Sequence, residues 1–182
     1  MRVEGCRGIL NMSFSRVASA NMFVLIRAVT YAAVFIGFVL VYLPTRFLSW
    51  SGIDTPATTG APQVAGMIIV AIGTAIALWC VFTFVFIGKG TPAPFDPPRK
   101  LVIRGPYCFV RNPMYIGAGI TLTGAALFYQ SLSIFIYTGA FFLVTHLFVV
   151  LYEEPTLRRT FGDEYEAYFR RVSRWLPRPS KK

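Results

Sequence analysis

Long runs of apolar residues, separated by short polar or proline-rich stretches, make up most of the chain. The runs Phe23 to Leu43 and Gln63 to Ile87 are each long enough to cross the hydrocarbon core of a bilayer, which takes about 20 helical residues. Two more runs, Pro113 to Tyr129 and Leu132 to Tyr152, follow each other across a tight turn and predict a helical hairpin. The pattern therefore predicts an all-α integral membrane protein with about four transmembrane helices.

Proline marks the expected ends of these helices. Pro44 to Pro62 predicts an irregular loop, and the prolines at 92, 94, 97, 98 and 106 exclude a continuous helix in the large loop from Gly88 to Arg111. Asn112-Pro113 predicts the start of the third helix, because Asn is a favoured N-cap and Pro is favoured at the first helical position. Glu154-Pro155 predicts a break after the fourth helix, since a residue before proline avoids the α-helical region.

The segment after Pro155 predicts an amphipathic helix that lies on the membrane or over the cytoplasmic end of the bundle, with a break at Phe161-Gly162. Its apolar residues recur at helical spacing: Leu157, Phe161, Tyr165, Tyr168, Phe169, Val172, Trp175 and Leu176. The chain then divides into a tail without assigned structure (1–21), two helices with the start of the large loop (22–98), and a core that contains the hairpin and the amphipathic helix (99–182).

Composition and charge agree with a membrane protein. Of the 182 residues, 55% are hydrophobic and 14% are charged, and the net charge is +10. Lysine and arginine cluster in Met1 to Arg27, in Lys89 to Arg111 and after Arg158, and they avoid the apolar runs almost completely. This distribution predicts that both termini and the large loop are cytoplasmic, in the inner membrane if the cell is bacterial. The expected partners are membrane lipids rather than nucleic acid.

Several residues within the spans favour structural over chemical roles. Gly66 and Gly73, among other small residues of the second run, predict close packing between helices of the same chain. The three cysteines indicate neither a disulfide nor a zinc site, and Cys108 is expected to be a small loop residue rather than a nucleophile. His146 has no second His or Cys at i±4, which favours a packed, hydrogen-bonded histidine over a metal ligand. No metal is expected.

Two polar clusters are expected to meet at one edge of the membrane. The segment from Arg104 to Tyr115 precedes the hairpin and Glu153-Glu154 follows it, so the hairpin returns the carboxylates to the side from which it started. Each of these residues could also have a purely structural role. Asn112 could be only an N-cap, and Glu154 could stabilise the start of the next helix through the helix dipole and pair with Arg158. Arg111 could be only a positively charged anchor on the cytoplasmic side of the membrane. Their joint arrangement favours an active site.

Four motifs follow one another in the second half of the chain: Gly105-Pro106-Tyr107, Val110-Arg111-Asn112-Pro113-Met114-Tyr115 with Gly117, Leu151-Tyr152-Glu153-Glu154-Pro155, and Phe161-Gly162 with Tyr165 and Tyr168. In this order they resemble the integral-membrane methyltransferases, a group that comprises the isoprenylcysteine carboxyl methyltransferases and the phospholipid N-methyltransferases. The resemblance extends over residues 99–177, nearly half of the chain.

The resemblance implies S-adenosylmethionine as the methyl donor, bound on the cytoplasmic side between the loop, the hairpin ends and the C-terminal helix. It implies a catalytic set of Glu153, Arg111 and Glu154. The residues implied in binding the donor are Lys100, Leu101, Val102, Tyr107, Asn112, Pro113, Met114, Tyr115 and Glu153. These residue types suit the task, because carboxylates and aromatic faces stabilise a sulfonium cation and methyl transfer depends mainly on alignment.

The resemblance implies one methyl donor but leaves several classes of methyl acceptor open. The overall expectation is an isoprenylcysteine methyltransferase-like enzyme that acts on a lipophilic or small acceptor. Asn112 stands where the isoprenylcysteine branch usually has histidine, and Val149 where that branch has an arginine for the substrate carboxylate. Phospholipid N-methylation and small-thiol methylation are therefore the alternatives. The rival of another class is a non-enzymatic membrane scaffold or transport subunit, which predicts no cofactor binding and tolerance of Glu153→Gln.

Overall fold

The computed structural model describes Thr30, residues 33–83 and residues 101–177. In this part of the chain five helices follow one another: α1, Ala33–Trp50; α2, Ala61–Thr83; α3, Pro113–Phe128; α4, Leu132–Phe148; and α5, Glu154–Arg171. α1, α2 and the continuous stretch from α4 through α5 are long and apolar enough to cross a membrane, and α3 is apolar but shorter. The predicted all-α membrane fold is confirmed.

Several predicted features lie outside the described residues. They are the tail 1–21, the start of the first helix at Phe23, the end of the second helix at Ile87, and the large loop through Lys100. The hairpin lies wholly within the described part, and its first helix, α3, has the predicted start at Pro113.

α1 continues through Pro44, where the sequence predicts the start of a loop, so that prediction is wrong. The seven residues Ile36–Tyr42 form a π-helical stretch, and the Leu43 N–H donates to the Phe38 carbonyl five residues earlier. A proline ring in an α-helix clashes with the carbonyl four residues before it, and the wider π-helical turn provides room for the ring. The helix therefore passes the proline and ends at Trp50.

The predicted break at Glu154-Pro155 is also absent, because a second π-helical turn, Val149–Glu153, connects α4 to α5. As in α1, this turn ends two residues before the proline, and the Glu154 N–H donates to the Val149 carbonyl. The break predicted at Phe161-Gly162 is confirmed, since Gly162 has φ 51° and ψ −125° inside α5. Glu153 consequently lies on a continuous helical backbone rather than at a free helix end.

Pro44 also explains a polar contact between α1 and α4. In the π-helical pattern the carbonyl of Val39 would accept from the nitrogen of Pro44, which carries no hydrogen. The Tyr137 hydroxyl of α4 donates to this carbonyl instead, at 2.9 Å. Because an unpaired carbonyl in the bilayer costs several kcal/mol, this contact holds α1 against the hairpin.

Glycines bring α2 and α3 into backbone contact. A Cβ atom added at Gly66 would lie 2.7 Å from the Gly124 carbonyl oxygen, and one added at Gly73 would lie 2.7 Å from the Gly117 carbonyl oxygen. Both distances are too short for any side chain larger than hydrogen. The predicted role of Gly66 and Gly73 in packing within the chain is confirmed, and this contact fixes α2 beside the start of α3.

Candidate active site

The loop before α3 is anchored at Tyr107. The chain enters a short 3₁₀ turn, Gly105–Cys108, through Gly105, whose φ of 60° favours glycine. Tyr107 is buried with Cys80 of α2, and its carbonyl oxygen accepts a hydrogen bond from the Tyr168 hydroxyl at 2.8 Å. Burial, followed by the neighbouring Cys80 thiol and Glu153 carboxylate, raises the pKa of Tyr107 well above its usual range. Tyr107 therefore stays protonated near Glu153.

Tyr115 and Glu153 meet where the two ends of the hairpin come together. Tyr115 lies in the first turn of α3, and its hydroxyl donates to Glu153 Oε2 at 3.3 Å. Glu153 is the last residue of the π-helical turn after α4. Both side chains are half-buried. The hairpin thus brings the loop cluster and the carboxylate pair to one edge of the bundle.

Glu154 forms a buried ion-pair network with Arg111 and Arg174 rather than the pair with Arg158 that its sequence spacing allows. Its Oε1 accepts from Arg111 Nη1 at 3.0 Å and from Arg174 Nε at 2.8 Å, and its Oε2 accepts from Arg174 Nη2 at 2.9 Å. Only 6% of Glu154 is exposed, so it faces the interior, whereas Arg158 pairs with the more exposed Glu166 at 3.0 Å. The structural interpretation of Glu154 as a partner of Arg158 does not hold.

Arg111 is buried beneath α5. Its guanidinium carbon lies 4.0 Å from the centroid of the Phe169 ring, and Nη1 is 3.5 Å from the Tyr165 hydroxyl. The Nε atom is buried without a hydrogen-bond partner among the described residues. With 8% of its side chain exposed, Arg111 is part of the packed interior rather than an anchor to lipid headgroups.

Asn112 does not cap α3 through its side chain. Its backbone carbonyl accepts from the Ile116 N–H at 3.3 Å, while its side-chain Nδ2 donates to the Arg174 carbonyl at 3.3 Å. A buried amide has to find partners, and the C-terminal segment supplies an acceptor that local sequence does not show. The predicted side-chain N-cap is therefore wrong, although α3 begins where it was expected.

The C-terminal residues 172–175, called here the C-terminal clasp, are not helical. α5 ends at Arg171, and Val172 has φ −114° and ψ 129°, so the helical spacing predicted through Trp175 and Leu176 does not hold. Ser173 pairs with Val110, and its carbonyl accepts from the Arg111 N–H at 2.9 Å. Sequence reasoning missed this segment, because its partners in the loop are more than 60 residues away and no local motif marks it.

Trp175 attaches the C-terminal clasp to α4. Its indole N–H donates to His146 Nδ1 at 3.0 Å, and its ring meets Phe142 edge-on with 6.4 Å between centroids. The predicted packed and hydrogen-bonded role of His146 is confirmed. In the part of the chain that the structure describes, no group of three His, Cys, Asp or Glu residues could hold a metal ion.

The remaining predicted donor-binding residues surround the loop. Val102 and Met114 pack with Tyr107, and Leu101 packs against the apolar face of α5. Pro113 is buried at the start of α3. Lys100 lies outside the described residues. These residues line the loop and the start of α3, whereas the contact between Tyr115 and Glu153 lies at the hairpin ends.

The comparisons with known proteins identify the family. A family model described as phospholipid methyltransferase matches residues 61–164, which include α2, the loop, the hairpin and both carboxylates. No curated protein and no solved structure matches the chain significantly. The matched part exceeds half of the 182 residues, and it contains the first three motifs that carry the resemblance to membrane methyltransferases, together with Phe161-Gly162 of the fourth. The chain therefore belongs to the phospholipid methyltransferase family, a family of membrane methyltransferases.

Proposed function

We propose that this protein transfers a methyl group from S-adenosylmethionine to the amine of a phospholipid at the edge where Tyr115 and Glu153 meet. The observation that carries the proposal is the 3.3 Å contact between the Tyr115 hydroxyl and Glu153 within the family match. The membrane fold and the family membership support a lipid acceptor, and the half-buried position of Glu153 supports a ligand site.

The residues at this edge suit the methyl donor. S-adenosylmethionine carries a sulfonium cation, an ammonium group and ribose hydroxyls, all of which are stabilised by a carboxylate acceptor. Glu153 has one hydrogen bond to a described residue, from Tyr115, and an ionised carboxylate has about four acceptor positions. Glu153 would therefore hold the donor's polar groups, with Tyr115 and Tyr107 beside it. When bound, the donor supplies an electrophilic methyl group.

The other donor-binding residues are proposed on the resemblance and on their place around the loop. Leu101, Val102 and Met114 would provide apolar contacts, with Lys100 before them. Pro113 and Asn112 would fix the turn into α3, since the Asn112 amide binds the C-terminal clasp. Arg111 and Glu154 would support Glu153 in the same site, since Glu154 pairs with Arg111 and Arg174 in the interior of the protein.

If the methyl acceptor is an amine, Glu153 would also act as a general base. The ammonium group of a phosphatidylethanolamine headgroup must lose a proton before its nitrogen can attack the methyl carbon. Glu153 is the carboxylate that could take this proton, directly or through water. An isoprenylcysteine carboxylate needs no such step, and neither Asn112 nor Val149 matches the residues expected for that acceptor. The phospholipid amine is therefore the proposed acceptor.

The predicted topology makes the site accessible to both substrates. The distribution of lysine and arginine predicts a cytoplasmic loop, and the methyl donor is a soluble cytosolic compound. The lipid acceptor would arrive from the bilayer, because large apolar side chains such as Phe135, Leu143 and Leu151 are exposed on the hairpin. Alignment of the nitrogen with the methyl carbon would supply most of the rate enhancement, and no covalent intermediate with the protein is needed.

The test is methyl transfer from S-adenosylmethionine labelled in its methyl group. Purified protein in vesicles that contain phosphatidylethanolamine is incubated with this donor, and the label is counted in lipid, protein and volatile fractions. We expect label in the lipid fraction, loss of it in Glu153→Gln, and normal transfer in the control Glu166→Gln, whose side chain pairs with Arg158 at 3.0 Å. Label in protein or volatiles would indicate another acceptor, and no label in any fraction would favour the non-enzymatic scaffold.

A further inference from the structure

The C-terminal clasp contacts the loop, α4 and Glu154, although it lies beyond residue 164, where the family match ends. Ser173 binds the backbone of the loop at Arg111, and the Arg174 carbonyl binds the Asn112 amide. The Arg174 side chain binds Glu154, and Trp175 binds His146 on α4. Four non-helical residues thus connect the loop, α4 and the junction between α4 and α5.

The strongest of these contacts is the pair between Arg174 and Glu154. Arg174 donates from Nε at 2.8 Å and from Nη2 at 2.9 Å, so the two planar groups meet in the paired geometry that only arginine can provide. This contact with Glu154 raises the pKa of Arg174. The Arg111 guanidinium also pairs with Oε1 of Glu154. Both oxygens of Glu154 are therefore engaged by the protein, which leaves Glu153 as the carboxylate that can bind a ligand.

The backbone couples the orientation of Glu154 to that of Glu153. The two residues are consecutive, and the π-helical turn ends between them with the hydrogen bond from the Glu154 N–H to the Val149 carbonyl. Pro155 follows directly and contributes no N–H, so the helix has one backbone hydrogen bond fewer at this point. A helix weakened in this way depends on side-chain contacts for its local rotation. Holding Glu154 toward Arg174 keeps Glu153 turned toward Tyr115.

We propose that Arg174 is a positioning residue, which fixes Glu153 for binding of the methyl donor by holding Glu154. The inference rests on the proposed function, since it concerns the same site. It assigns a role to a residue outside the region that defines the family, and it assigns different roles to two adjacent carboxylates. Arg174 has 28% of its side chain exposed, so it can be substituted without opening a large cavity in the core.

The test is calorimetric titration of the full-length protein in detergent with S-adenosylhomocysteine, which yields both the dissociation constant and the binding stoichiometry. We expect Arg174→Gln to raise the dissociation constant at least about tenfold at unchanged stoichiometry. Arg174→Lys keeps the charge but loses the paired geometry, and we expect it to raise the constant about threefold. The matched control is Arg171→Gln, which removes an exposed arginine three residues away and should bind like the wild type.

The two measured quantities separate positioning from folding. If Arg174 only stabilises the fold, a smaller fraction of each variant is folded. The binding stoichiometry then falls, while the dissociation constant stays that of the wild type. This result would overturn the inference. An unchanged constant at unchanged stoichiometry would overturn it as well. If Arg174→Gln cannot be purified in folded form, the same two outcomes are read from Arg174→Lys. Failure of the wild type itself to bind would reject the proposed function, independently of Arg174.

Discussion

Replacing Gly73 by alanine places a methyl group where the backbones of α2 and α3 touch. The added Cβ would lie 2.6 Å from the Thr121 nitrogen and from its Oγ1, and 2.7 Å from the Gly117 carbonyl oxygen. These contacts are about 0.8 Å shorter than the 3.4 Å at which ordinary contact begins, and two of the three atoms belong to the backbone. The helices must therefore move apart, since rotation of a side chain cannot relieve the overlap.

The expected cost is about 1–3 kcal/mol, the usual range for overpacking. Alanine is also a better helix former than glycine by about 1 kcal/mol, which offsets part of the loss. Gly139→Ala in α4 isolates the two effects, because a Cβ there meets nothing within 4 Å. The difference between the two variants is then the cost of the overlap alone.

The assay is reversible unfolding of both variants in the same detergent mixture, followed by circular dichroism. We expect the free energy of unfolding of Gly73→Ala to be about 1–3 kcal/mol below that of Gly139→Ala. We also expect weaker binding of S-adenosylhomocysteine, because Gly117 lies two residues after Tyr115 and both move with α3. Equal stability of the two variants would refute the backbone contact between α2 and α3.

Two further substitutions test contacts that follow from the irregular helices. Tyr137→Phe removes the donor to the Val39 carbonyl and should lower the free energy of unfolding by about 1–2 kcal/mol, whereas Tyr42→Phe, at an exposed position, should not. Equal unfolding curves for these two variants would contradict the tether between α1 and α4. Gly162→Ala should cost about 1–2 kcal/mol in the same assay through backbone strain alone, since φ is 51° and its Cβ would meet nothing within 4 Å. A more stable Gly162→Ala protein would show that α5 is regular there.

The hairpin and its junction with the loop could be predicted from sequence because they depend on local signals. Asn112-Pro113 starts α3 whatever the Asn side chain binds, and the apolar run ends near Tyr129 as expected. The meeting of Tyr115 with Glu153 follows from topology, since two antiparallel helices joined by a tight turn must begin and end on one side. These features need no knowledge of distant contacts.

The helix ends predicted at Pro44 and Pro155 are wrong because the rule that proline ends a helix applies to α-helical hydrogen bonding. At Pro44 and Pro155 the preceding turn widens to the π-helical form, which removes the clash on which the predicted break relied. Nothing in the local sequence distinguishes a proline that ends a helix from one that follows a π-helical turn.

The ion-pair network was missed because it depends on tertiary contact. Arg174 binds Glu154, 20 residues earlier in the chain, and Asn112, 62 residues earlier, and no local pattern in the sequence predicts either contact. The i,i+4 spacing of Glu154 and Arg158 allows a pair on one helix face, but that spacing is a weak preference of about 0.2–0.5 kcal/mol. The pairing of the buried Glu154 carboxylate with two arginines stabilises this arrangement by more than a pair on the helix surface would.

The central claim is that Glu153 binds the methyl donor. Calorimetric titration with S-adenosylhomocysteine, applied to the wild type, Glu153→Gln and the control Glu166→Gln in one detergent, tests it most directly. The account predicts saturable binding with one site per chain for the wild type and the control, and a dissociation constant raised at least about tenfold for Glu153→Gln, which is about 1.4 kcal/mol. Equal binding by Glu153→Gln and the wild type would contradict the account.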